Sequence, residues 1–146
     1  EAGVGGIGWG DMAWWDGLAL PGADQLTIFR DFYESVKWST LRPVAFVAGN
    51  PAFSPRADLL GRALFTANDD MSTVVGYFSE SSMKAATVSS LPYESYLVRW
   101  FDPETGAYAT VDADARPEAG RWALPTARSM MREKRGDRVL LLTANR

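Results

Sequence analysis

Three tryptophans and two aspartates stand close together near the start of the chain, at Trp9, Asp11, Trp14, Trp15 and Asp16. Indole faces stack on the apolar faces of pyranose rings, and neighbouring carboxylates bind hydroxyls, so this cluster has the composition of a sugar-facing surface. The competing reading is a buried one, because large aromatics also fill cores and interfaces. Hydrolysis of a glycoside needs two carboxylates on opposite sides of the bond. Asp11 and Asp16 share one loop, an arrangement that does not suit two groups facing each other across a sugar.

Other chemistry is narrowed by what the composition lacks. The chain has no histidine and no cysteine among its 146 residues. That removes Ser-His-Asp chemistry, imidazole bases, thiolate nucleophiles, disulfides and nearly all zinc sites from these residues. The pairs Asp69-Asp70 and Asp112-Ala113-Asp114 lack calcium-loop spacing and read as solvated turns. No cofactor and no metal is expected. A net charge of −3 argues against a nucleic-acid surface. The one basic cluster, Arg128 to Arg138, alternates with Glu133 and Asp137 and reads as a solvated loop. No run of roughly 18 apolar residues is present to cross a membrane as a helix. The first residue is Glu1, as though a signal peptide or another precursor segment preceded it, and a secreted or periplasmic location is slightly favoured.

The elements that position the cluster begin with its own glycines. Gly3, Gly5, Gly6, Gly8 and Gly10 alternate loosely with Val4, Ile7 and Trp9, which reads as a short buried strand running into an aromatic loop. It is not a dinucleotide fingerprint, because no helix follows at once. The best helix comes next, from Ala23 to about Lys37. Its apolar residues Leu26, Phe29, Phe32, Tyr33 and Val36 fall at three- and four-residue steps. A strand–loop–helix unit of this kind needs a partner surface, which the glycine-rich strand is too short to provide. Residues 44–59 carry Gly49, Asn50, Pro51, Ser54 and Pro55 and read as an irregular linker.

From residue 60 to 146 the apolar period changes to two. Strands are expected over 62–67, 72–78, 84–88, 95–101, 107–111, 120–124 and 137–143, as in a sandwich or small barrel. Asp102-Pro-Glu-Thr-Gly106 joins two of them with turn chemistry. The last strand, Val139-Leu-Leu-Leu142, is apolar throughout, so both of its faces are expected to be buried.

Three stretches, in order, resemble the C-terminal part of the apiosidase-like glycoside hydrolases. Gly6-Ile-Gly-Trp-Gly-Asp-Met-Ala-Trp-Trp15 is similar to that family's Gly-His-Thr-Tyr-Gly segment ending in Trp, with Ile7 and Trp9 in place of the His and Tyr. Leu18-Ala-Leu-Pro-Gly-Ala-Asp-Gln-Leu26, continuing through Phe29-Arg30, is similar to its Leu-Pro-Gly-Ala helix. Trp100-Phe-Asp-Pro-Glu-Thr-Gly106 is similar to a Trp-Phe-Asp-Pro-Arg-Thr-Gly hairpin of its β-sandwich, a domain often labelled collagen-binding.

The resemblance implies a mostly β fold, with a C-terminal antiparallel β-sandwich preceded by one βα unit that completes a (β/α)8 barrel. Residues 1–43 would be the barrel's last βα unit and residues 60–146 the accessory sandwich. It implies a C-terminal subunit or fragment of a bacterial glycoside hydrolase, with catalytic carboxylates on a larger partner chain carrying the rest of the barrel. Trp9, Asp11, Trp14 and Trp15 would then border the glycan substrate. The alternative is a non-catalytic β-sandwich module that binds glycan or protein.

Overall fold

A computed structural model describes residues 17, 20–44, 47–48, 64–78, 87–123 and 136–145. The described part is mostly β, with one long helix, α1, Pro21–Ser35. Nine strands follow: β1 Arg42–Pro43, β2 Val47–Ala48, β3 Leu64–Ala67, β4 Thr73–Phe78, β5 Thr87–Val88, β6 Tyr96–Phe101, β7 Tyr108–Ala115, β8 Trp122–Ala123 and β9 Arg138–Ala144. They form a six-stranded sheet in the order β1-β3-β4-β9-β6-β7 and a three-stranded sheet in the order β2-β5-β8. Every strand pairing is antiparallel.

Period-two patterning explains the larger sheet. In β6, Tyr96, Val98 and Trp100 face one side, where they meet Phe65, Val74, Phe78, Leu140 and Leu142 in a buried cluster. Val88 and Trp122 of the smaller sheet belong to the same cluster, so the two sheets share one core. Phe78 packs edge-on against both Phe65 and Trp100, with centroids 5.6 and 5.3 Å apart. Gly76 admits this packing: a Cβ there would lie 2.5 Å from the Phe65 ring.

The opposite face of the larger sheet carries α1. Phe32 and Val36 are buried against Val75, Phe101, Val139 and Leu141. Phe32 stacks on Phe101 with ring centroids 4.4 Å apart. The helix therefore has a partner surface within its own chain, which the sequence reading did not foresee. Its packed stripe also differs from the one expected. Ile28, Phe32 and Val36 face the sheet at four-residue steps, whereas Leu26 and Phe29 are 69% and 56% exposed. The two apolar faces lie side by side on the helix, and spacing alone does not say which one docks.

Strand β9 sits in the middle of the sheet with a layer on each side, and Val139 through Leu142 are all buried, as its unbroken apolar run implies. Other expectations are revised. Val47–Ala48, within the segment read as irregular, is a strand that pairs with β5. β7 runs through Asp112 and Asp114 to Ala115, beyond the expected end at Val111, because an exposed edge strand tolerates charges that a central one would not. Arg138 is not a solvated loop residue. It opens β9 and pairs with Asp102 at 3.4 Å, both side chains only 12% exposed.

Candidate functional site

The residues singled out for sugar contact, Trp9, Asp11, Trp14 and Trp15, lie outside the described residues, as does Asp16. What the described residues do place is the surface on the helix-bearing side of the sheet. Strand register sets it out in rows. Leu64 pairs with Tyr77, Tyr77 with Val139, Val139 with Phe101, and Phe101 with Tyr108. Directly paired residues share a face, so these five form one apolar row across five strands. Its centre, Val139 and Phe101, is buried under α1, and its ends, Leu64, Tyr77 and Tyr108, are exposed.

The hairpin between β6 and β7 anchors one end of this row. Asp102 Oδ1 accepts the Glu104 N–H at 3.0 Å, and the Gly106 N–H donates to the Asp102 carbonyl at 2.8 Å. Gly106 takes φ +74°, a left-handed conformation suited to glycine, and a Cβ there would lie 3.4 Å from Ile28 of the helix. Burial alone would raise the Asp102 carboxyl. The Glu104 N–H, the Arg138 guanidinium and Thr105 outweigh that and hold it below its usual range. The turn motif thus ties the hairpin tip, the start of β9 and the underside of α1 together.

A second row runs Thr66, Val75, Leu141, Arg99 and Thr110. The Arg99 guanidinium lies 4.7 Å from the centroid of the Tyr108 ring, a cation–π contact. Its Nε is the buried side-chain nitrogen that lacks a hydrogen-bond partner among the described residues. At the other end of the first row the Tyr77 hydroxyl donates to Asp137. That bond, helped by partial burial, pushes the phenol up to about 12. Cross-strand register creates both arrangements, and no local motif announces either of them.

The third row, Thr73, Thr143 and Leu97, ends at a cleft of about 460 Å³. Ser35, Val36 and Lys37 at the end of α1, Thr40, the turn residues Asn68, Asp70 and Ser72, and Thr73, Thr143 and Ala144 line it. Several of these groups brace one another. Asn68 donates to Ser72 Oγ at 2.8 Å and its Oδ1 accepts the Thr73 N–H at 2.9 Å. Asp70 Oδ1 accepts the Ser72 N–H at 2.9 Å, and Oδ2 accepts the Tyr93 hydroxyl at 3.1 Å. Asp70 is the single carboxylate among the described lining residues, which by themselves do not supply the acid pair that glycoside hydrolysis requires.

Two acids of β7 have structural roles. Asp112 Oδ1 accepts the Asp114 N–H at 3.0 Å. The Asp114 carboxyl is held low by the Ser95 hydroxyl and then by Arg116, which it meets at 2.9 Å. Among the described residues, no group of three or more His, Cys, Asp or Glu is placed to hold a metal ion.

No family model matches the sequence, and no curated protein matches it. Solved structures do match. One described as a glycoside hydrolase superposes with a TM-score of 0.65 at 16% identity, over 99% of this chain and 30% of that one. Another, a glycoside hydrolase family 5 structure from Bacteroides vulgatus, gives 0.62 at 16% identity, over 90% of this chain and 26% of that one. The chain therefore spans less than a third of the length of each structure. At this identity the likeness is one of fold: a mostly β, antiparallel, helix-bearing unit of the kind found as part of larger glycoside hydrolase chains.

Proposed function

We propose that this chain is the C-terminal part of an apiosidase-like glycoside hydrolase. The N-terminal residues through α1 complete a (β/α)8 barrel carried mainly by a larger partner chain, α1 standing between that barrel and the sheet it packs on, and residues 60–146 form most of the accessory β-sandwich, to which Arg42–Pro43 and Val47–Ala48 add short strands. Trp9, Asp11, Trp14 and Trp15 border the glycan site on this reading, stacking on sugar rings and binding hydroxyls. The proton-transferring carboxylates belong to the partner.

One observation carries the proposal. Every large hydrophobic side chain exposed among the described residues is on one side of the molecule. Leu20, Leu26, Phe29 and Trp38 belong to α1 and its flanking turns, and Leu64, Tyr77 and Tyr108 to the sheet face that α1 covers. The other face is closed by the smaller sheet. A one-sided apolar surface is what a unit shows when it packs against a further body. The lengths of the hydrolases it resembles supply room for such a body.

Native mass spectrometry of the protein from its source tests the reading. A stable complex with a larger chain is expected, with solvent labelling of Leu26, Phe29 and Trp38 suppressed in the complex and restored on dissociation. A folded, monodisperse species of this chain's own mass, with those side chains freely labelled, overturns it. Glycan binding by that isolated species, abolished by Trp14→Ala with Trp15→Ala, would point to a free-standing binding module instead.

A further inference from the structure

Among the described arginines, Arg99 is placed unlike the others. Arg30, Arg116 and Arg138 meet carboxylates at 2.7, 2.9 and 3.4 Å, and Arg42 donates to the carbonyls of Ser39 and Leu41. Arg121 is exposed to solvent. Arg99 is partly buried, yet it makes no ion pair and no side-chain hydrogen bond among the described residues. Its Nε is enclosed without an acceptor, which costs stability, and its two Nη groups stay open.

Register fixes where this side chain points. Its neighbours in β6, Val98 and Trp100, face the closed core, so Arg99 faces the helix-bearing side, where its strand partner Leu141 packs beneath α1. Its other strand partner, Thr110, and the diagonal neighbour Tyr108 belong to the exposed edge strand β7. The guanidinium carbon lies 4.7 Å from the Tyr108 ring centroid, so the ring holds the cation toward that edge. None of Leu141, Thr110, Tyr108 and Phe101 around it carries a charge.

We infer that Arg99, held over Tyr108, is the anchor for an Asp or Glu side chain of the larger chain. A carboxylate matches the open Nη fork with two parallel hydrogen bonds. Tyr108 is also the exposed end of the apolar row that runs from Leu64 through Val139 and Phe101, so the unpaired cation borders the open apolar flank. Arginine beside an exposed aromatic is the composition of an interface hot spot, where docking excludes water and strengthens the pair. A free anion would meet one cation with no second beside it. The apolar flank then supplies contact area, and the ion pair fixes register. Assigning the acid to the larger chain rests on the hydrolase reading.

Calorimetric titration of the larger chain with this chain and its variants tests the assignment. Arg99→Met keeps the apolar stem and removes the charge, so Kd is expected to rise by at least about thirtyfold. The salt dependence of Kd should flatten as well. The uncomplexed variant should melt no lower than the parent, because an unsatisfied buried donor is gone, and weaker binding is then not misfolding. Arg99→Lys keeps the charge without the fork and should bind between the two. Its amine also allows zero-length carbodiimide coupling, and peptide mass spectrometry should find the new amide on an Asp or Glu of the larger chain. Unchanged affinity of Arg99→Met in a complex that forms overturns the anchor and leaves the hydrolase reading standing. Coupling of the Arg99→Lys amine to an acid of this same chain does the same. Failure of the parent chain to bind any larger chain overturns both.

Discussion

The two faces of the six-stranded sheet use the same strands to different ends. On the closed face, Val74, Phe78, Tyr96, Val98, Leu140 and Leu142 are completely enclosed, and the smaller sheet completes the cover through Val88 and Trp122. On the helix face only the middle of each row is covered. Val139 and Phe101 lie under α1, while Leu64, Tyr77 and Tyr108 in the same row are open. Apolar surface is therefore retained where no other described residue lies over it. The closed face carries the stability of the unit, and the open flanks of the helix face are where contact with another body would be made.

The largest effect should come from the closed face. Leu140→Ala removes a completely buried side chain between two strands and should cost about 2–5 kcal/mol. Leu64→Ala, on the open end of the helix face, should cost under about 1 kcal/mol, because little burial is lost. Urea unfolding of the two variants checks the contrast, and equal losses would break it.

Next comes the seam beneath the helix. Phe32→Ala deletes the ring stacked on Phe101 and should cost about 3 kcal/mol. Its distinctive effect is local. Amide exchange in α1 should accelerate while β9 and β4 keep their protection, because the closed core does not depend on the helix. Matching acceleration in β9 would show that the two faces form one cooperative unit.

How much of this was legible follows the range of the interactions. β9 could be read from its apolar run, and the Asp102–Gly106 hairpin from its turn chemistry, because both are written in consecutive residues. The docked stripe of α1 could not. Leu26 and Phe29 satisfy the helical period as well as Ile28 does, and the choice is made by Phe101 and Val139, more than sixty residues away. The strand at Val47–Ala48 exists only through β5, and the full length of β7 was hidden by Asp112 and Asp114, acids that suit a turn and an exposed edge equally. The cleft assembles Lys37, Asp70 and Thr143 from three distant segments, so spacing carried no trace of it. Where Trp9, Asp11, Trp14 and Trp15 are concerned, the sequence remains the source of the reading.

A smaller effect belongs to Tyr96, at the closed face. Its hydroxyl donates to the Met71 carbonyl at 3.1 Å, and burial pushes the phenol up to about 12. A folded-state value above the ordinary value of 10.0 contributes stability that is complete below pH 10 and is lost as pH rises toward 12. Tyr96→Phe should cost about 1 kcal/mol at neutral pH through the lost hydrogen bond. It should also flatten the alkaline decline, because Phe has no proton to lose. Melting temperatures at pH 8, 10 and 11.5 for both proteins measure this. Parallel curves would assign the decline to other groups, Tyr77 among them.

The smallest effect on stability should come from the open flank of the helix. Leu26→Ser with Phe29→Ser removes two exposed apolar side chains and leaves the packed stripe of Ile28, Phe32 and Val36 intact. Serine is a slightly poorer helix former than leucine, so a net change within about 1 kcal/mol is expected. Association is the more telling readout. If this flank meets another body, the isolated chain should self-associate through it at high concentration, and the double variant should stay monomeric in sedimentation experiments. A monomeric parent chain would leave the flank an ordinary exposed surface and remove the asymmetry on which the comparison of the two faces rests. A large loss of stability in the double variant would mean instead that Leu26 and Phe29 help hold α1 to the sheet, and the boundary between the covered and open regions would have to be redrawn at Tyr33, whose ring lies 4.5 Å from that of Phe29.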